Sequence, residues 1–338
     1  MDDRRVNLTR FPRRSTRLAG EADRHTAGFD LAFNTSRFRG GQNLDASAFY
    51  LWTSNPLDTD DTSGFGAALR YPNEPWAAGI SAVELQPGYD PALGFVERRG
   101  IRRYQPELEW TPRPDNHPWI RGVDIGVEGD IQTDMQNRLL TRELEVTILQ
   151  VNTHDGGRYQ FRLIPQYERL DEDFEISDGV VLPTGEAYRF TRYQLEAQTP
   201  EHRMFSVAPE VTWGRFFSGR RREVAVRLDV RPRRGLSFSA ETERNFLDLA
   251  EGSFTADVYR VDASTQFSPW VSVANRLQYD TVSGTLGWQL RFRWIQRPGN
   301  DVYFVYTHNW NEILDVGERR LATMDNRLAT KLLYTLRF

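Results

Sequence analysis

The chain has 338 residues, of which 39% are hydrophobic and 27% charged, and its 43 basic and 47 acidic side chains leave a net charge of -4. A mean hydropathy of -0.60, with no apolar run near the roughly eighteen residues that a spanning helix needs, excludes a helical membrane protein. Both charge signs are spread along the whole chain, so no basic domain points to nucleic acid. The absence of cysteine removes disulfides, thiolate metal sites and cysteine nucleophiles together.

The opening Met1-Asp2-Asp3-Arg4-Arg5-Val6 lacks the apolar core of a secretion signal, so an exported chain would need one upstream and this sequence reads as a fragment. Residues 1–24 carry only a weak pattern. They read as two short strands, Val6 to Arg10 and Ser15 to Gly20 around the turn Phe11-Pro12-Arg13-Arg14, or as the remnant of a truncated barrel start. From His25 onward large apolar side chains fall at every second position: Phe29, Leu31 and Phe33; Leu44, Ala46, Ala48, Tyr50 and Trp52; Phe65, Ala67, Leu69 and Tyr71. A period of two is a pleated strand with one greasy and one wet face. Each run stops at turn residues such as Gly40-Gly41, Asn55-Pro56 or Pro72-Asn73.

The pattern continues through Trp76 to Leu85, then Pro106, Leu108 and Trp110, Val123, Ile125 and Val127, Leu144, Val146 and Ile148, and Tyr159, Phe161, Leu163 and Tyr167. Between them sit Glu107, Glu109, Asp124, Glu128, Glu143, Glu145 and Arg162, so the second face is charged. Beyond a long loop from Asp171 to Thr184 come Phe205, Val207, Val211 and Trp213, then Val224, Val226, Leu228 and Val230, then Leu236, Phe238 and Ala240. Pro165 and Pro209 fall inside strands, where a missing donor predicts bulges or irregular pairing. The final stretch alternates most clearly, through Trp288, Leu290, Phe292 and Trp294, past the turn Pro298-Gly299-Asn300 to Val302, Phe304 and Tyr306, and on to Leu332, Tyr334, Leu336 and Phe338.

About seventeen clear strands, with a doubtful one before His25, predict an all-β protein: a transmembrane antiparallel β-barrel of about eighteen strands over residues 25–338. A soluble sandwich would turn its apolar face inward, whereas a bilayer barrel turns it toward lipid and keeps the charges in its lumen. Taking the C-terminus as periplasmic, the short connections Pro298 to Asn300, Ser268-Pro269, Arg231 to Gly235, Thr199 to His202, His154 to Gly157 and Pro72 to Pro75 fall on one side. Ile313 to Met324, Asp171 to Thr184, Gln86 to Gly100 and Pro56 to Thr62 fall on the other, as longer outer loops, although the short Asp248 to Gly252 and Val282 to Gly284 fall there too.

Three stretches carry a resemblance. They are Asp90 to Arg99, Tyr167 to Leu170 with Phe174 to Ile176 and Pro183 to Gly185, and Asn275 to Asp280 with Arg291 to Trp294 and Pro298 to Asp301. Together they resemble the large bacterial outer-membrane barrels that follow a carbohydrate-binding-like domain of the family-9 type. The resemblance implies a non-enzymatic barrel in the cell outer membrane, either a solute channel or the anchor and export partner of an upstream domain. Its implied partners are membrane lipid and lipopolysaccharide, the barrel-assembly machinery and a carbohydrate-related upstream domain. An aromatic C-terminal residue closing an alternating strand, here Leu332, Tyr334, Leu336 and Phe338, resembles the signal that such machinery reads.

Candidate sites follow from the charges. Glu107, Glu109, Asp124, Glu128, Glu143, Glu145, Arg227, Asp229, Arg276, Arg291 and Arg293 would line a lumen and tune passage, or cancel in cross-strand ladders that stiffen the wall. Arg98, Arg99, Arg102 and Arg103, in or beside the Gln86 to Gly100 loop, suit lipopolysaccharide phosphates, or form a solvated, internally paired run. The five histidines lack metal-site spacing. No metal or cofactor is expected. His308-Asn309 supports a barrel-wall hydrolase, acting on lipid or polysaccharide, only as a rival, and a soluble glycan-binding β protein is the third reading.

Overall fold

A computed structural model describes residues 5–10, 13–14, 25–54, 61–91, 94–315 and 318–335. The structure is 76% strand, and no helix occurs among the described residues. In chain order the strands are β1 (Arg5–Arg10), β2 (Arg13–Arg14), β3 (His25–Phe38), β4 (Gln42–Ser54), β5 (Ser63–Pro72), β6 (Trp76–Leu85) and β7 (Ile101–Trp110). There follow β8 (Ile120–Asp134), β9 (Leu139–Thr153), β10 (Arg158–Arg169), the short β11 (Phe174–Ser177) and β12 (Val180–Leu182), β13 (Ala187–Gln198) and β14 (Phe205–Phe216). The last are β15 (Gly219–Arg233), β16 (Leu236–Leu249), β17 (Gly252–Ser268), β18 (Val271–Asp280), β19 (Thr285–Arg297), β20 (Asn300–Asp315) and β21 (Glu318–Leu333).

Seventeen of these, β3 to β10 and β13 to β21, form the antiparallel sheet, each hydrogen-bonded to the next in sequence. β1 and β2 add to the free side of β3, while β11 and β12 pair only with each other. The alternation explains the regularity: a one-residue slip would move every large side chain of a strand to the wrong face. Short connections use the chemistry they need. Gly235 takes a φ of 76° at the β15–β16 turn, and a Cβ there would stand 2.6 Å from the Gln266 carbonyl oxygen.

Several sequence expectations are corrected. Ile313 to Met324 is strand on both sides, because β20 runs to Asp315 and β21 begins at Glu318. The Asp171 to Thr184 loop contains the β11–β12 hairpin. Arg13 and Arg14 do not turn the chain: β2 keeps β1's register along β3, with Arg10 opposite Phe29 and Arg13 opposite Thr26. The expected strand Ser15 to Gly20 lies outside the described residues, as do Leu336 and Phe338. Pro209 keeps an unbroken register with Val226 in β15, although the ladder to β13 ends one residue short of it, at Glu196 opposite Glu210. The ladder is instead interrupted at Gln105 and Pro106, between Tyr104 opposite Ile131 and Glu107 opposite Glu128, with the same register on either side. Gly129 faces that gap, and a Cβ on it would lie 3.1 Å from the Pro106 ring.

The residues group into two compact units, one of Met1–Val151, Arg162–Phe174 and Pro183–Thr191, the other of Asn152–Phe161, Glu175–Leu182 and Arg192–Phe338. In the first, Tyr89, Ile101, Leu140, Leu170 and Phe190 are buried; in the second, Val180, Leu182, Leu247 and Leu249 are. Ile164 of the first unit is buried midway along β10; the others belong to the long connections or lie toward the strand ends they join. Most large apolar side chains elsewhere along the strands are exposed or only half-buried.

Candidate functional site

Residues directly opposite in an antiparallel pair share a face, so each register sorts the side chains of its two strands. In the second unit one row runs Val207, Leu228, Ala240, Val261, Leu277, Trp288 and His308 across β14 to β20. The neighbouring row on the other face runs Ala208, Arg227, Glu241, Arg260, Gln278, Gly287 and Asn309, and on to Asp325 in β21. One face is therefore greasy and the other charged.

The apolar face is uncovered. In the first unit Leu69 is 49% exposed and Ile80 52%, and in the second Val261 is 49% exposed. Aromatic rings mark two levels on this face of the first unit. Trp76 and Trp110 stack at 5.9 Å between centroids at one level, and Phe29, Tyr50 and Phe65 stack in a row at the other, 5.9 and 6.4 Å apart. Phe65 lies opposite Glu84, eight residues along β6 from Trp76. That spacing is about 26 Å along the strand, or about 20 Å across a layer at the tilt usual for membrane strands.

The polar face is stitched by ion pairs. In the first unit Arg103 holds Asp130 with two bonds, Nε at 2.9 Å and Nη2 at 2.5 Å, and Arg162 reaches Glu145 at 2.6 Å. In the second Arg276 meets Asp262 at 2.8 Å and Arg293 meets Asp301 at 2.9 Å, with the Arg293 guanidinium 5.4 Å from the Tyr303 ring centre. Such pairs, on half-exposed side chains, contribute little to stability each. Their effect here is to keep long charged side chains folded against the wall.

The sequence-predicted lumen residues share this polar face. Glu107 lies beside Arg70 at 3.9 Å, Asp124 and Glu143 accept from Gln150 and Gln166, and Arg227 pairs with Asp229 at 3.2 Å. Glu109, Glu128 and Arg291 have no hydrogen-bonding or oppositely charged partner among the described residues. Glu107 stands directly opposite Glu128.

The four arginines do not form one cluster. Arg102 and Arg103 are in β7, on opposite faces, because successive residues of a strand alternate. Arg102 bonds Glu84 at 2.8 Å and Asn137 at 2.7 Å; Arg98 donates to Thr141 at 3.1 Å and lies 3.8 Å from Glu168; only Arg99 lacks a partner among the described residues. The tied connection itself is a feature that periodicity could not find. Gly88 donates to the Asp61 carbonyl and Asp90 to the fully buried Thr53 hydroxyl, while Tyr89 lies over Gly64 on the polar side of β5. Burial pushes the Tyr89 phenol above its ordinary pKa.

His308 sits on the apolar face, stacked on Trp310 at 4.0 Å. Its ring nitrogens meet the Tyr306 hydroxyl at 3.0 Å and the Thr323 hydroxyl at 3.1 Å. No serine or carboxylate completes a relay there among the described residues. The sequence matches no family model and no curated protein.

Proposed function

We propose that the chain is a β-barrel of the bacterial outer membrane whose charged interior holds or passes a solute. The observation that carries this reading is the inversion of the ordinary soluble pattern: apolar rows uncovered, charged rows paired against one another. Each large apolar side chain left in water forgoes about 1.5–3 kcal/mol of burial. A whole face of them is stable only under a cover, and lipid tails are the cover that two aromatic levels about 20 Å apart would suit. Closure is part of the proposal. The strand formed by β1 and β2 runs antiparallel to β3, so as an eighteenth member it would meet β21 antiparallel, which is the parity of bacterial barrels.

The resemblance to barrels that follow a carbohydrate-binding-like domain supports the same location, with lipopolysaccharide and the assembly machinery as partners. The test is extraction and conductance. The protein should require detergent, migrate faster unheated than boiled on denaturing gels, and pass current in planar bilayers. A monodisperse, detergent-free protein would rule the membrane out. A detergent-dependent but silent one would leave the anchor role in place of the channel.

A further inference from the structure

We infer that the groove around Ser206, on the polar face of the second unit, binds a small organic cation of the polyamine class. This deepens the reading above and rests on the polar face being the interior. Ser206 is 3% exposed, and its hydroxyl is buried without a hydrogen-bond partner among the described residues. It lines the groove opposite Asp229, with Ala208 and Ala225 keeping the floor open. A buried hydroxyl left unbonded costs about 1–3 kcal/mol, so something polar is expected to meet it.

The charge of the groove says what. Its guanidiniums are already engaged, Arg158 with Glu196 at 2.6 Å and Arg227 with Asp229 at 3.2 Å, and Glu241 is paired with Arg260 at 3.3 Å. Glu201 and Glu210 are left with amide and hydroxyl donors only: Gln198 for the first, Gln194 and Thr212 for the second. No cationic side chain among the described residues bonds either carboxylate; the Arg227 charge reaches Glu201 but is already held by Asp229, so the five carboxylates of the lining, Glu196, Glu201, Glu210, Asp229 and Glu241, outnumber Arg158, Arg227 and the neighbouring Arg260. An anion is repelled, and a neutral sugar would leave the acidic excess uncompensated. A bare metal ion is no better, since no three acidic or histidine side chains among the described residues converge to hold one. Separate ammonium groups on a flexible chain suit carboxylates spread along strands, and a rim of acidic groups is how cation pathways are lined.

The experiment is calorimetric titration of the full chain in lipid nanodiscs at low salt with spermidine, glucose and calcium chloride. Wild type should show saturable spermidine binding, weakened about tenfold by Glu210→Gln, weakened likewise by Glu201→Gln, and unchanged by Glu172→Gln, which removes a charge outside the groove. Glu201 lies in a turn, so its variant keeps the test alive should Glu210→Gln misfold. Absence of saturable binding, equal weakening by Glu172→Gln, or tighter glucose or calcium binding would overturn the inference. Bilayer current is scored separately. Current without spermidine binding removes this inference and keeps the channel, whereas binding without current keeps the inference and removes the channel.

Discussion

The Tyr89 ring lies over Gly64, so close that a Cβ on the glycine would stand 3.2 Å from Cζ and 3.3 Å from Cε2. The connection after β6 can therefore fold onto the polar side of β5 only because position 64 has no side chain. Gly64→Val should displace the ring and cost about 1–3 kcal/mol, the usual penalty of overpacking, visible as a lower thermal midpoint in detergent.

The same ring titrates late. Burial raises the Tyr89 pKa, so the neutral phenol is favoured in the fold. Its contribution to stability is complete below the unfolded value of about 10 and declines as pH rises beyond it. In the ultraviolet difference between wild type and Tyr89→Phe, the tyrosinate band should emerge only above the range of a free phenol. A band at the free-phenol pH would contradict the buried placement.

Leu69 and Ser81 lie on opposite faces of neighbouring strands. Leu69→Arg should destabilise the protein in lipid vesicles by about 2–4 kcal/mol, the cost of a cation on a lipid-facing wall near mid-depth. Ser81→Arg should stay within about 1 kcal/mol. Equal effects in a denaturant titration would mean that Leu69 does not face lipid.

Asp155, in the turn after β9, accepts from the Thr153 hydroxyl at 2.6 Å and from Arg203 at 2.8 Å. The Thr153 bond first, then the Gly157 amide and the Arg203 charge, outweigh its partial desolvation and hold its carboxyl below the usual carboxylate range. Its stabilisation is present above the unfolded value of about 3.9 and lost as pH falls through the depressed one. Asp155→Asn should lower the midpoint at pH 7, with the gap closing as acid is added. A gap that persists at all pH values would assign the effect to packing.

Arg98 ties the connection before β7 to Thr141 and Glu168. The chain has no cysteine, so a single Ser81→Cys reports access to the polar face without background. A bulky, membrane-impermeant maleimide added outside cells should label it several-fold faster when Arg98→Ala is added. An unchanged rate would mean that the tie does not restrict entry.

Much of this was legible in the residues. A period of two, read at Phe29, Leu31 and Phe33 or at Trp288, Leu290 and Phe292, located strands and faces because side-chain direction along an extended chain is a local property. The misreadings have physical reasons. β11 and β12 carry too few residues to display an alternation, and the charged start of β21 resembles a loop when its pairing with β20 is unseen. In β9 both Ile148 and Leu149 are exposed, at 41% and 44%, a slip in alternation of the kind that an extra residue in one strand produces. The folding of Tyr89 onto Gly64 and the burial of Leu182 depend on segments distant in sequence, to which periodicity is blind.

β21 pairs with β20 along one side, and it carries Leu328 and Leu332 at 69% and 71% exposure. Until its other side finds a partner strand, such a margin would offer a line of unsatisfied amide and carbonyl groups beside adhesive side chains, a template on which any extended polypeptide can zip up. A newly made chain in water is thus at hazard chiefly from its own kind.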